Sequence, residues 1–265
     1  MSLPVEPPLR AMASQGGRRV RLPRMAEMVA SRLRDQILSG ELTVVPRLED
    51  LIVQFDVGPP AAREAMRILE TEGLVTVRRG NVGGAEVHLP TPDRVAYMVG
   101  LVLQSRAAEL GDVGAALRQV EPLCAALCAQ REDRAETVVP ELRRIVEEQA
   151  ESIGDVPATL HIVDRFHEAI VRGSGNETMI VVVGALERVW AAHAGAVYDR
   201  ADVEPPELGV WKASLREHEK IVAAIERGDP KAADLARRHL EATHAYMSGV
   251  DDSRMVTAST VPRSS

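Results

Sequence analysis

Aromatic residues are scarce: two Trp, three Tyr and two Phe make 3% of 265 residues. That is too few for the stacking platforms on which single-stranded nucleic acid is bound. Cysteine is nearly absent. Cys124 and Cys128 stand four apart in a run of Pro, Leu and Ala, which places them on one helix face as buried apolar thiols. A redox or metal pair is the competing reading, and nothing points to an oxidising compartment. No apolar run approaches the ~20 residues of a membrane span, and no signal-peptide core follows Met1. The expectation is a cytoplasmic, nucleoid-associated protein with no membrane partner. Nucleophile elbows, P-loops and dinucleotide fingerprints are also missing, so the chain is not expected to be an enzyme.

What is present is an ordinary globular composition, 45% apolar and 27% charged, long enough for two modest domains. The net charge of −7 is unevenly spread. Residues 18–80 carry 11 arginines against 9 acidic residues, whereas residues 81–265 carry 20 basic against 29 acidic. Phosphate contacts belong to the first region.

That region is organised around residues 56–87. Gly58 suits an N-cap and Pro59 the first helical position, where its missing N–H costs nothing. Ala62, Ala65, Met66 and Leu69 recur at helical spacing, with Arg63 and Arg67 one turn apart on another side. Gly73 ends the helix. Two β-prone runs, 74–77 and 85–89, flank a Gly- and Arg-rich tip and predict a hairpin. Upstream, apolar periodicity predicts helices over 25–39 and 48–55. The sum is a winged helix-turn-helix whose last helix enters a major groove while the wing lies along the backbone or in a minor groove. Residues 1–22, rich in Pro, Gly, Ser and Arg, are expected to be a disordered basic arm.

Arg63-Glu64-Ala65-Met66-Arg67-Ile68-Leu69-Glu70-Thr71-Glu72-Gly73-Leu74-Val75 resembles the recognition helix of the GntR family of bacterial transcription regulators. Val77-Arg78-Arg79-Gly80 with Gly83-Gly84-Ala85 resembles the wing of its FadR-like branch, and residues 33–42 its first helix and turn. The resemblance implies DNA contacts at Arg24, Arg63, Arg67, Arg78, Arg79, Asn81 and Gly83. Gly58-Pro59 stand where the family has Ser-Arg, so one arginine that normally touches DNA is missing. Val44-Val45-Pro46 replaces the usual Pro-Gly turn.

Two prolines in the segment 88–93 mark a linker, so the head is assigned to 23–88. From 93 to 248 the chain reads as six or seven helices with short loops, an antiparallel α-bundle, and 249–265 as a flexible tail. Expected helices cover 94–105, a segment capped by Asp112 to 130, then 136–153, 157–172, 176–198, 208–227 and 229–248. Arg118-Gln119-Val120-Glu121-Pro122, Asp164-Arg165-Phe166-His167-Glu168-Ala169-Ile170 and Glu217-His218-Glu219-Lys220 are similar to the FCD domain that follows the winged helix in FadR-like regulators. The fold class is thus mainly α, a winged head followed by an FCD-like bundle.

The resemblance implies a homodimer on a near-palindromic operator, a small carboxylate effector and repression released on binding. It also implies one divalent metal, zinc, nickel or manganese, among Asp164, His167, His218 and His239. The family's aspartate position holds Val163 and its last histidine position holds Leu240; a one-residue slip rotates a helical side chain by about 100°. The alternative is a purely organic pocket lined by Arg118, His167, His193 and His218. His161 can face the same space. Arg165 competes with Arg118 for a carboxylate or pairs with Glu121 or Glu168. Trp190 and Trp211 suit core or interface positions. Two other functions compete: a metal-dependent all-α enzyme, for which a second Glu-x-x-His pair is missing, and an adaptor with a degenerate winged helix.

Overall fold

The computed structural model describes residues 21–77, 85–198, 206–251 and 253–261. The chain divides into two compact units between Pro90 and Thr91. The wing-tip residues Arg78, Arg79, Asn81 and Gly83, and residues 1–20 of the arm, lie outside the described residues.

The first unit holds α1 (Arg21–Leu38), β1 (Val44–Val45), α2 (Leu48–Phe55), α3 (Pro59–Glu72), β2 (Val75–Val77) and β3 (Ala85–Val87). Helix α1 starts at Arg21, so the last two residues assigned to the arm are helical. The left-handed Asp56 closes α2, and Gly58, extended, opens α3. Gly73, at φ 69°, ends α3, and Leu74 N–H donates to Leu69 O at 2.9 Å. That left-handed closure turns the chain straight into β2. The sheet has order β1-β3-β2, both pairs antiparallel, with Val45 opposite Ala85 and Val77 opposite the same residue. β1 was not expected. Val44-Val45 reads as an altered turn, yet the buried Val45 makes it an edge strand that completes the sheet. Val29, Leu33, Ile37, Leu51, Ala62, Ala65 and Leu69 form one apolar core. Arg34 clamps Glu72 through two hydrogen bonds of 2.8 and 2.5 Å, tying α1 to the end of α3.

The second unit is all-α: α4 (Pro92–Ser105), α5 (Leu110–Gln130), α6 (Arg134–Thr137), α7 (Val139–Ser152), α8 (Val156–Gly173), α9 (Glu177–Tyr198), α10 (Leu208–Arg227) and α11 (Ala232–Asp251). Glu109, not Asp112, precedes α5, and Asp112 lies in its first turn. The expected helix 136–153 is split, because Pro140 starts a new helix at Val139. Asp155 caps α8 by accepting the Ala158 N–H at 3.1 Å. α5 is the central helix, packed against α8, α9, α10 and α11, which is why it is apolar on more than one face.

α9 corrects the statement about apolar runs. Its stretch Glu177–Ala196, mean hydropathy 1.3, is long and apolar enough by length and composition to cross a membrane. In this fold it packs against α4, α5 and α8.

The tail corrects another expectation. Residues 253–261 return to the bundle: Leu110 N–H donates to Arg254 O at 2.8 Å and Val256 N–H to Ala108 O at 3.0 Å. Val256, Ala258 and Val261 are buried. Gly100 on α4 makes room, since a Cβ there would stand 3.4 Å from Val261 and 3.5 Å from the Ala258 backbone.

Candidate functional sites

In the first unit the chemistry faces outward. α3 buries Ala61, Ala62, Ala65 and Leu69, which fixes Arg63 and Arg67 on its exposed side. Arg63 makes no ion pair among the described residues, whereas Arg67 is held by Glu64 through Nε–Oε2 at 2.9 Å and Nη2–Oε1 at 2.5 Å. Two exposed arginines one turn apart, of which one is restrained, give a surface able to fork a base edge and touch a neighbouring phosphate. Arg24 is exposed on α1.

In the second unit the chemistry is buried. His167 on α8, His218 on α10 and His239 on α11 are 7%, 0% and 2% exposed, and one nitrogen from each lies within 4.8 Å of the others. Every Nδ1 faces an acceptor: Glu121 Oε1 at 2.7 Å for His167, Gln149 Oε1 at 2.7 Å for His218 and Glu217 Oε2 at 2.8 Å for His239. Those partners put the proton on Nδ1 and leave Nε2 as a lone pair. The Nε2 atoms of His218 and His239 then face each other at 3.0 Å. Two lone pairs at that distance repel unless a cation lies between them. Metal–nitrogen bonds of about 2.1 Å meeting at ordinary angles place two imidazole nitrogens ~3.0–3.4 Å apart. The donor set and its outer partners therefore fit a divalent ion. Phe166 stacks on His218, with ring centroids 3.8 Å apart, and fixes its plane. Burial first, then the neighbouring histidines, hold the His218 pKa well below its ordinary value. Burial lowers His239 too, against the opposing pull of Glu217. Both rings are thus neutral, as ligation requires.

Behind this cluster, burial pushes Glu121 up to about 7, although its hydrogen bond with Glu187 opposes the shift. Burial and the nearby Glu121 raise Glu187 well above the carboxylate range. Asp164 does not join the three histidines; burial lifts it to about 7 against the pull of His167. It borders two cavities instead. One, of about 420 Å³ between α8 and α9, is lined by His161, Arg165 and Glu187 among others. The other, of about 150 Å³, is lined by Trp190, Trp211 and Glu217.

The remaining expected pocket residues go elsewhere. His193 is buried but satisfied, donating from Nδ1 to Val189 O at 2.7 Å and accepting at Nε2 the Thr257 N–H at 2.9 Å. It holds the tail. Arg118 is half-buried on α5 and lines neither cavity. Arg165 pairs with Glu148 at 2.6 Å rather than with Glu121 or Glu168. Burial pushes the Cys124 and Cys128 thiols up to about 12, so neither is a thiolate, and Cys128 donates to Ile170 O at 3.2 Å. Sequence reasoning misses Gln149 and Glu217, because neither stands beside the histidine it orients: Gln149 is 69 residues from His218, and Glu217 adjoins His218 but holds His239.

Comparison with known proteins agrees with both halves. The family model described as bacterial regulatory proteins, gntR family, matches residues 25–83, and the FCD domain model matches 112–242. The HTH-type transcriptional repressor NanR of Citrobacter rodentium is 26% identical over 228 residues, 84% of this chain and 85% of that protein. NanR of Escherichia coli K12 is likewise 26% identical, covering 84% of each chain. A Streptococcus agalactiae GntR structure superposes with a TM-score of 0.64 at 24% identity, covering 83% of this chain and 99% of that one; this likeness speaks for the fold alone.

Proposed function

We infer that this chain, which belongs to the GntR family of bacterial regulatory proteins and carries an FCD domain, is a ligand-responsive DNA-binding transcription regulator. The observation that carries the reading is the division of chemistry: exposed arginines on α3 in one unit, and a buried, outward-supported histidine cluster in the other. Arg63 reads a base edge, and Arg67, Arg24 and the wing residues Arg78, Arg79, Asn81 and Gly83 position the backbone. His167, His218 and His239 hold one zinc, nickel or manganese ion, with Glu121, Gln149 and Glu217 orienting them. Such an ion supplies a positive centre for an anionic oxygen of the effector. The protein works as a homodimer and as a repressor. On α4, Met98, Leu101 and Val102 are 58%, 39% and 52% exposed at helical spacing, an apolar face suited to a second copy. The effector acts by binding one of two dimer geometries better than the other.

The test is binding of genomic fragments by the full chain, followed by a screen of small metabolites for release. The expected result is sequence-specific retention and one metabolite class that weakens it at least tenfold. Retention of all fragments alike overturns the reading.

A further inference from the structure

The chain has only two tryptophans, and both line the same cavity. This space of about 150 Å³ lies among α8, α9, α10 and α11 and is otherwise walled by Leu160, Val163, Ala194 and Val210. Its charged lining consists of two carboxylates, Asp164 and Glu217; among the described residues no lysine, arginine or histidine lines it. Asp164 makes no hydrogen bond to the described residues. Glu217 spends one oxygen, Oε2, on His239.

An anion entering this space meets two carboxyl groups and no side chain of positive charge. A neutral apolar molecule fills it but leaves Asp164 without a hydrogen-bond partner among the described residues and the second oxygen of Glu217 unused, and a polar group kept from water without a partner costs free energy. An organic cation satisfies both, and indole is the aromatic side chain that attracts cations best. We infer that the cavity binds an ammonium group, so that the effector is an amine-bearing small molecule. This rests on the reading of the bundle as a ligand-sensing domain and names the chemistry of its ligand. An effector that also carries a carboxylate would be a zwitterion, with its acidic end at the histidine-held ion and its ammonium between Asp164 and Glu217. The route from cavity to cluster is short. Glu217 is one hydrogen bond of 2.8 Å from His239, and Asp164 precedes His167 by three residues, about one helical turn. A cation that draws Glu217 toward itself therefore changes how His239 is held.

Because both tryptophans are in the site, their fluorescence reports occupancy without a label. The experiment titrates the full-length protein with benzylammonium, and in parallel with benzyl alcohol and benzoate, which share its ring but not its charge. Benzylammonium should change the emission saturably, at least tenfold more tightly than either control. Asp164→Asn should weaken it about tenfold while leaving the far-ultraviolet circular dichroism unchanged. Equal or tighter binding of benzoate or benzyl alcohol overturns the inference, as does undiminished benzylammonium binding by a folded Asp164→Asn protein. Operator affinity measured on the same samples separates the two readings. Saturable benzylammonium binding with unchanged operator affinity keeps the amine site and counts against ligand response.

Discussion

The two units handle polarity in opposite ways. The head buries Val, Leu, Ile and Ala and keeps its arginines outside. Every buried polar or charged residue among the described ones, namely Glu121, Gln149, Thr159, His167, Ser174, His193, His218 and His239, belongs to the bundle. Burying such groups costs free energy unless each finds a partner. The bundle offsets part of that cost by pairing Nδ1 of His167, His218 and His239 each with an acceptor from another helix, and Nδ1 of His193 with Val189 O on its own helix. The difference separates a unit built to be read from outside from one built to hold something inside. It also separates their failure modes: the head loses function when a surface group goes, the bundle when an interior group is left unpaired.

The largest effect is expected from emptying the interior. Replacing His167 and His218 together by Ala removes two of three ligands, and elemental analysis of protein purified without chelator should fall from about one equivalent of zinc, nickel or manganese to trace. Operator affinity should stay within about twofold. A wild-type protein with no metal above trace would remove the ion and leave an organic pocket.

Next in size is the head's core. Leu69→Ala, at a fully buried position, should cost about 2–5 kcal/mol of head stability. Thermal unfolding followed by metal release should show the bundle's transition unmoved; a bundle that melts with the head would deny that the two cores are separate. Arg63→Ala is smaller, about 1–3 kcal/mol of operator affinity with flattened preference at one position per half-site. Equilibrium binding to a panel of operator variants measures it, and wild-type behaviour across the panel would refute the assignment of α3.

The smallest concerns the tail. Burial, the first cause, lowers the His193 pKa despite the hydrogen bond to Val189. A histidine whose folded pKa is depressed contributes stability that is present above its unfolded value of about 6.5 and lost as pH falls through the folded value. Protonated Nε2 would confront the Thr257 N–H with another donor. Hydrogen exchange at Val256 and Thr257 should therefore speed up on acidification, by about tenfold, equivalent to ~1.4 kcal/mol. The exchange in His193→Gln should be faster at neutral pH and less sensitive to acid.

Much of this architecture was legible because it depends on local chemistry. Gly58-Pro59 and Gly73 bound α3, and its Ala and Leu spacing fixes which side its arginines occupy. Three features were hidden for physical reasons. β1 is two residues long and exists only because β3 is there to pair with it. The buried tail depends on Gly100, more than 150 residues away in sequence from Ala258. The histidine site was legible as far as His167 and His218, while His239 joins them from one position off the family spacing. The surroundings of Asp164 and His193 are not legible in the sequence, since only the packing of α8 and α9 decides which way they turn.

The central claim is that α3 reads duplex DNA on behalf of a dimeric sensor. Selection of bound duplexes from a random pool by the full-length protein tests it most directly. The account predicts enrichment of a near-palindrome whose half-sites lie about one helical turn apart, ~10 base pairs. Recovery of the pool without enrichment, or of a single unpaired half-site, would contradict it.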